Sequence, residues 1–306
     1  MSMRVPNLMD NASSLLDLQR IKQQYSETVQ QLSTGEADPN LGDDPSATAQ
    51  VEGYQASINV NTEYIAQANT ANSQLQASST ALTSVNSSIT QLLQLGEEGL
   101  AAGTTTASQD GIASQVSAIR QDLISLGNTQ VEGQYIFAGT DSTTVPFVDN
   151  ETTTPPSTTY NGNSGVSSLT LSPSVSVATN IPGDTLFYGP DGQGSDTDVL
   201  AQTAAMAQAL TSNNTAALQT AFNNLQTISS RINVSTADLG EREDGVTALQ
   251  NGLTSYNQNL TAQQTSIQSV NYANAITQLD QENVAQQATL STIAQTNQKN
   301  LFDYIA

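Results

Sequence analysis

LSTGEADPNLGDDPSATAQ, residues Leu32 to Gln50, is the stretch on which the fold turns. The sequence on both sides is rich in Gln, Ala and Ser and spaced like a helix. Here Gly35, Pro39, Gly42, the Asp43–Asp44 pair and Pro45 fall within eleven residues. Gly35 is placed to end one helix in the left-handed conformation that costs other residues most. Asp44 can cap the next helix, and Pro45 suits its first position, where a missing N–H removes no hydrogen bond. The stretch therefore reads as a joint between two helices, although local chemistry alone favours an ordinary helix–helix loop.

Working outward, proline placement divides the chain. Six of the nine prolines (Pro146, Pro155, Pro156, Pro173, Pro182 and Pro190) lie between 146 and 190, and none lies in 46–145 or 191–306. A proline inside a helix costs about 3 kcal/mol, so two helical arms should flank a β or loop insert. The arms carry the matching period. Leu18, Ile21, Tyr25, Thr28 and Leu32 recur at three and four residues, as do Val246, Leu249, Leu253, Tyr256 and Leu260, which continue through Gln263 to Ile267 and Val270. Between them Val51, Tyr54, Ile58, Ile65, Ala68, Leu75 and Leu82 fit one heptad series, with Asn61, Asn72 and Ser79 at its remaining positions and a one-residue slip at Val85, Ile89 and Leu92. Such seams predict coiled-coil-like packing, with register fixed by the polar members. A helix over about 46–101 would be roughly 80 Å long. A second near 107–130 turns back after Gly99 and Gly103. The return arm should start at Asp196 or Asp198, break around Asn213–Asn214 and weaken at Gly240–Gly245.

The centre, 141–195, has 19 Ser or Thr among 55 residues. SSLTLSPSVSVATN alternates apolar and polar in part, as a half-buried strand does. A small β-rich domain or hairpin and a disordered segment both suit this composition. The expected fold class is thus mainly α, with long antiparallel coiled-coil or bundle arms from the two ends of the chain and a small β-rich insert.

Charge and composition narrow the function. With 7 Lys+Arg against 28 Asp+Glu, the net charge is −21. Nucleic acid is an unsuitable partner, because phosphate binding needs clustered cations, and none occurs between Arg120 and Arg231. Without Cys, His or Trp the chain cannot build a Ser-His-Asp or Cys-His nucleophile or a Cys/His zinc site. Paired carboxylates at Asp43–Asp44, Glu97–Glu98 and Glu241/Glu243/Asp244 sit at helix boundaries or solvated faces, which argues against glycoside chemistry. Asp191, Asp196 and Asp198 could be taken for a calcium loop, but a turn followed by a helix cap explains them too. No stretch has the length and hydropathy to insert in a membrane, and the N-terminus lacks a secretory signal's apolar core. An enzyme is not expected.

Several motifs carry a resemblance. LSTG followed by DDPSATA, through Leu32, Ser33, Gly35, Asp43, Asp44 and Pro45, resembles the N-terminal signature of the flagellin superfamily. EGQYIFAGTDSTTVPF (132–147) resembles the G-x-Y-[LI]-F-A-G-T…P-F segment of that superfamily's hook–filament junction branch, through Gly133, Tyr135, Ile136, Phe137, Ala138, Gly139, Thr140, Pro146 and Phe147. It reads as a strand with Tyr135 and Phe137 on one face and a Gly turn after them. NIPGDTLF (180–187) is similar to the family's return strand, and Val270 to Ile305 to its terminal helix, with Asn271 where Asp is usual. The resemblance implies an inner terminal domain of 1–42 plus 265–306, a helical-bundle domain of 43–140 plus 196–264, and an outer insert of 141–195. It also implies an extracellular flagellar subunit, with no cofactor, exported through the type III apparatus with an export chaperone. Its partners would be further copies of itself in a ring, another hook-associated junction protein on the hook side and flagellin on the filament side. Flagellin itself is the alternative.

The terminal helices fit that role physically. Leu8, Leu15, Leu18, Ile21, Tyr25 and Leu32 form one apolar stripe. Ile267, Ile276, Leu279, Leu290, Ile293, Leu301, Phe302 and Ile305 form another that wanders around its helix. Apolar surface left over after the two pair calls for further copies. A four-helix bundle complete within one chain is the competing arrangement.

Overall fold

The computed structural model describes residues 4–37 and 45–305, with side chains over 12–37 and 45–295. The chain is mainly helical: α1 (Arg4–Thr34), α2 (Pro45–Leu100), α3 (Thr106–Gly127), α4 (Val199–Thr211), α5 (Thr215–Gln268) and α6 (Tyr272–Ile305). Between α3 and α4 lie β1 (Gln130–Val131), β2 (Gln134–Tyr135), β3 (Phe147–Asn150), β4 (Ser157–Tyr160), β5 (Ser168–Ser172), β6 (Val175–Ala178) and one π-helical turn, Asp184–Tyr188. The strands pair as three separate antiparallel two-stranded ribbons, β1–β2, β3–β4 and β5–β6. Two compact units result, 1–60 with 256–306 and 61–255.

Helix ends follow local chemistry. Pro45 opens α2, as its fixed φ permits; Asp43 and Asp44 lie outside the described residues. Asp198 caps α4, accepting from Leu200 N and Ala201 N at 2.9 and 3.1 Å. Asn214 caps α5 through Ala217 N, 3.1 Å. The weak point expected at Gly240–Gly245 is not a break: α5 runs through both glycines to Gln268. Each glycine costs about 1 kcal/mol in a helix, which a 54-residue helix packed on both sides of them absorbs. The interruption falls instead at 269–271.

Within 61–255 one seam organises α2. Its buried residues are Asn61, Ala68, Ala71, Leu75, Ser78, Leu82, Val85, Ile89, Leu92, Gly96 and Gly99, with Ala81 beside them. From Ala68 on the spacing alternates three and four without a slip, so Ala71 and Ser78 take the positions expected of Asn72 and Ser79. The phase change sits near Ala68 rather than Val85. At the far end Gly96 and Gly99 continue the seam because there is no room for a side chain. A Cβ would meet Phe222 at 2.7 Å at the first and Leu210 at 2.6 Å at the second. In α5, Tyr256 departs from the expected stripe and is 53 % exposed; the half-buried Asn257 takes its place, and Gln264 that of Gln263.

The insert is ordered around aromatic rings. Phe147 packs on Phe187 with centroids 4.7 Å apart and on Tyr160 at 5.1 Å, and Phe137 meets Phe187 edge-on at 5.9 Å. Full burial of one such ring stabilises by about 1.5–3 kcal/mol. The alternation in SSLTLSPSVSVATN does form a hairpin, β5–β6, with Ser168 opposite Ala178 and an irregularity between Thr170 and Ser172. The segment likened to a return strand is different: 184–188 makes the π-helical turn, which buries Leu186, Phe187 and Tyr188 in succession. A strand would have sent Phe187 to the opposite face.

Candidate assembly interface

Two breaks meet in the unit made of both chain ends. Gly35 terminates α1 with φ +77°, and its N–H donates to Gln31 O at 2.8 Å. The break between α5 and α6 lies against it: Val270 N donates to Gly35 O at 2.9 Å and Ala37 N to Gln268 O at 2.6 Å, forming an antiparallel bridge between Glu36 and Ser269. Gln31 Nε2 closes the turn on Ala37 O, 2.7 Å. Asn271 then caps α6, its side chain accepting from Asn274 N at 3.2 Å. Asn and Asp cap equally well, so Asn271 fills this position as an Asp would.

Beyond this joint α1 and α6 pack antiparallel. On α1 Leu18, Ile21, Tyr25, Thr28 and Leu32 are covered, the spacing read from the sequence, with Ser14, Glu27 and Gln31 half-buried beside them. On α6 they are Ala275, Leu279, Glu282, Gln286, Thr289 and Ile293, at intervals of four and three. Leu279 and Ile293 belong to that seam. Ile276 and Leu290 do not, and are 51 % and 47 % exposed. Ile267 is half-buried on α5. Leu8 lies on α1 and Leu301, Phe302 and Ile305 on α6; their side chains lie outside those described. Leu15 is exposed, and so are Leu16, Val29 and Val284, which a single-stripe count passes over. Glu282 was invisible to any search for apolar periodicity.

The 132–147 segment lies in the other unit. Glu132 and Gly133, both with positive φ, form the two-residue turn between β1 and β2 that suits strand twist. Tyr135 is half-buried, whereas Ile136, Phe137, Ala138 and Gly139 are all buried, so the strand ends at Tyr135 and the alternation expected of Tyr135 and Phe137 stops there. Gly139 has φ +74°, and a Cβ there would collide with Asn163 O. Pro146 is buried ahead of Phe147, whose N–H and carbonyl are both held by the Asn128 amide, 2.9 and 2.8 Å.

The insert is fastened to the helices by polar groups. Arg120 on α3 makes a bidentate pair with Asp149, 2.9 and 2.6 Å, and donates to Thr158 Oγ1 at 2.7 Å. Arg231 on α5 donates to the carbonyls of Leu186 and Thr197, and burial lowers its pKa. Burial raises the pKa of the Asp198 carboxyl, even though three backbone N–H groups favour its ionised form. The Tyr160 hydroxyl, which lies 2.8 Å from Phe137 O, is pushed up to about 12, first by burial and then by Asp184. Asp196 accepts from Asn224, so Asp196 and Asp198 serve turn and cap. No group of three His, Cys, Asp or Glu side chains able to hold a metal occurs among the described residues. No described helix is long and apolar enough to cross a membrane.

Long terminal helices that pair with each other and return from a small β insert define a flagellin-type fold. Residues 5–142 match the family model of the bacterial flagellin N-terminal helical region. The fold is also that of solved hook-associated proteins. A chain described as a flagellar hook-associated protein from Vibrio parahaemolyticus aligns with TM-score 0.67 at 18 % identity, over 74 % of this chain and 100 % of that one. Hook associated protein-3 from Legionella pneumophila aligns at 0.62 and 15 %, over 71 % and 98 %. A structure described as the flagellar junction protein FlgL of the same organism aligns at 0.52 and 15 %, over 72 % and 99 %. No curated protein matches by sequence.

Proposed function

We propose that this protein is a structural adaptor of the bacterial flagellum at the hook–filament junction. In this reading the terminal helices pack against those of neighbouring copies into a ring on which the filament is built. The carrying observation is the surface of the α1–α6 pair, where Leu15, Leu16, Ile276, Val284 and Leu290 stand 47–67 % exposed in a flagellin-type fold. Apolar side chains in that number on one helix pair mark an interaction surface, and identical subunits can cover it by head-to-tail contacts. Residues 1–42 plus 265–306 would form the inner domain, 43–140 plus 196–264 a helical-bundle domain and 141–195 the outer insert. Another hook-associated protein would adjoin the ring on the hook side and flagellin on the other, with export outward through the type III channel. An export chaperone would take the amphipathic C-terminal helix in a groove. The role is structural rather than catalytic.

The flagellin region matched over 5–142 also suits a filament subunit. One deletion strain separates the two. Loss of a junction subunit leaves hooks in place while flagellin monomers escape into the medium; loss of flagellin leaves no monomer to escape. Complementation with Leu15→Asp, Leu290→Asp should restore secretion of this chain but not filaments. Filaments on the deletion strain, or full rescue by that variant, would count against an assembly role for these helices.

A further inference from the structure

The interior of the α1–α6 pair is built around a charge. Among the described side chains of the two helices only Thr28, Ala275 and Glu282 are buried. Glu282 is 8 % exposed. One of its oxygens, Oε1, accepts from Thr28 Oγ1 at 3.1 Å and from Gln278 Nε2 at 3.0 Å. The other, Oε2, is buried without a hydrogen-bond partner. The Thr28 hydroxyl lies equally close, 3.1 Å, to Gln24 O on its own helix, so its one proton has a second acceptor and does not depend on Glu282.

We infer that Glu282 specifies the register in which α6 lies against α1, and does so at a cost in stability. The seam around it is weak in apolar discrimination. Gln286 and Thr289 follow on α6, and a slide by one turn would exchange half-buried side chains of similar size along Leu18, Ile21 and Tyr25. Only one alignment brings the carboxylate to the Thr28 hydroxyl. A displaced helix would take the carboxylate away from the Thr28 hydroxyl that now meets it, and an unpaired buried charge is far costlier than a mismatched apolar contact. A single polar residue in a heptad seam sets register in this way while weakening the pair. The orphaned Oε2 is the structural sign of that weakening, since a group kept for stability would have both oxygens satisfied.

The absence of Cys from the chain allows a direct reading of register by disulfide trapping in the full-length protein. Ile21→Cys with Thr289→Cys lies one heptad from the Thr28–Glu282 contact and should close. Ile21→Cys with Ile293→Cys, one turn out of register, should stay open. In a Glu282→Leu background both pairs should close, while the helix pair melts at the same or a higher temperature. Glu282→Gln keeps an acceptor for Thr28 and should restore selectivity. The inference is overturned if Glu282→Leu still closes only the first pair, if it melts earlier, or if Glu282→Gln loses selectivity.

Discussion

The α1–α6 pair and the body formed by residues 61–255 share one geometry and differ in what fills it. Both rest on seams spaced three and four apart. In the body those positions carry Leu75, Leu82, Val85, Ile89 and Leu92, all fully buried, backed by Ile112, Val116 and Leu123 of α3 and capped at the insert by Phe137, Phe147 and Phe187. Among the described side chains of the terminal pair the best-buried positions are a threonine, an alanine and a glutamate, while leucines, two valines and an isoleucine face outward. Helical period decides where a helix faces its neighbour, and the residues at the period decide whether that contact is self-sufficient. The body buries its apolar residues in one continuous cluster. The terminal pair leaves apolar side chains exposed, which is what the proposed packing against further copies would cover.

The strongest way to break the comparison is to attack the body where it is densest. Phe147→Ala removes a ring that touches Phe187, Tyr160 and Tyr188, and should destabilise residues 61–255 by about 3–5 kcal/mol. Urea unfolding followed by near-ultraviolet circular dichroism of the tyrosines reads this directly; a loss below 1 kcal/mol would mean the insert is not part of the body's core.

Next in size is the Arg120–Asp149 pair, with side chains 5 % and 20 % exposed. Arg120→Ala strands a largely buried carboxylate and should cost about 3 kcal/mol, whereas Arg120→Met with Asp149→Leu should recover most of it. If the double variant is as unstable as the single one, the pair contributes through more than relief of a buried charge. A smaller effect, graded with pH, comes from the two tyrosines. Burial raises Tyr160 to about 12 and lifts Tyr188 as well, with Asp198 and Tyr160 adding to the latter. Their folded values exceed the ordinary 10.0, so above that pH the folded chain holds protons the unfolded chain has lost, and stability falls as pH rises. Urea midpoints should drop through this alkaline range and drop less steeply in Tyr188→Phe.

What could be read from the sequence was whatever depends on neighbours along the chain. Gly35, Pro45, Asp198 and Asn214 mark helix ends because caps and left-handed residues act within a few positions. The β5–β6 hairpin was visible in its alternation. The rest was set by distant partners. The π-helical turn at 184–188 exists because Leu186, Phe187 and Tyr188 all find cover against segments remote in sequence, including Thr158, whose carbonyl accepts the Tyr188 hydroxyl at 2.7 Å. The break at 269–271 has no Gly or Pro to announce it; it is fixed by its pairing with Gly35 and Ala37, more than two hundred residues away in sequence. Glu282 escaped for the same reason, since a glutamate signals solvent until Thr28 is placed opposite it.

The smallest effect on the lone chain is the most informative about the comparison. Leu15 and Leu16 are 53 % and 66 % exposed, so Leu15→Ala with Leu16→Ala removes little that the monomer buries and should shift its stability by no more than about 0.5 kcal/mol. An internal helix pair would lose several times that, because truncating a buried leucine costs about 2–5 kcal/mol. Sedimentation at rising concentration, set beside the urea curve of the same variant, separates the cases. Unchanged unfolding with lost self-association places these leucines on a surface between copies. A large loss of monomer stability would show that α1 already buries them within one chain, and the terminal pair would then be a closed bundle like the body.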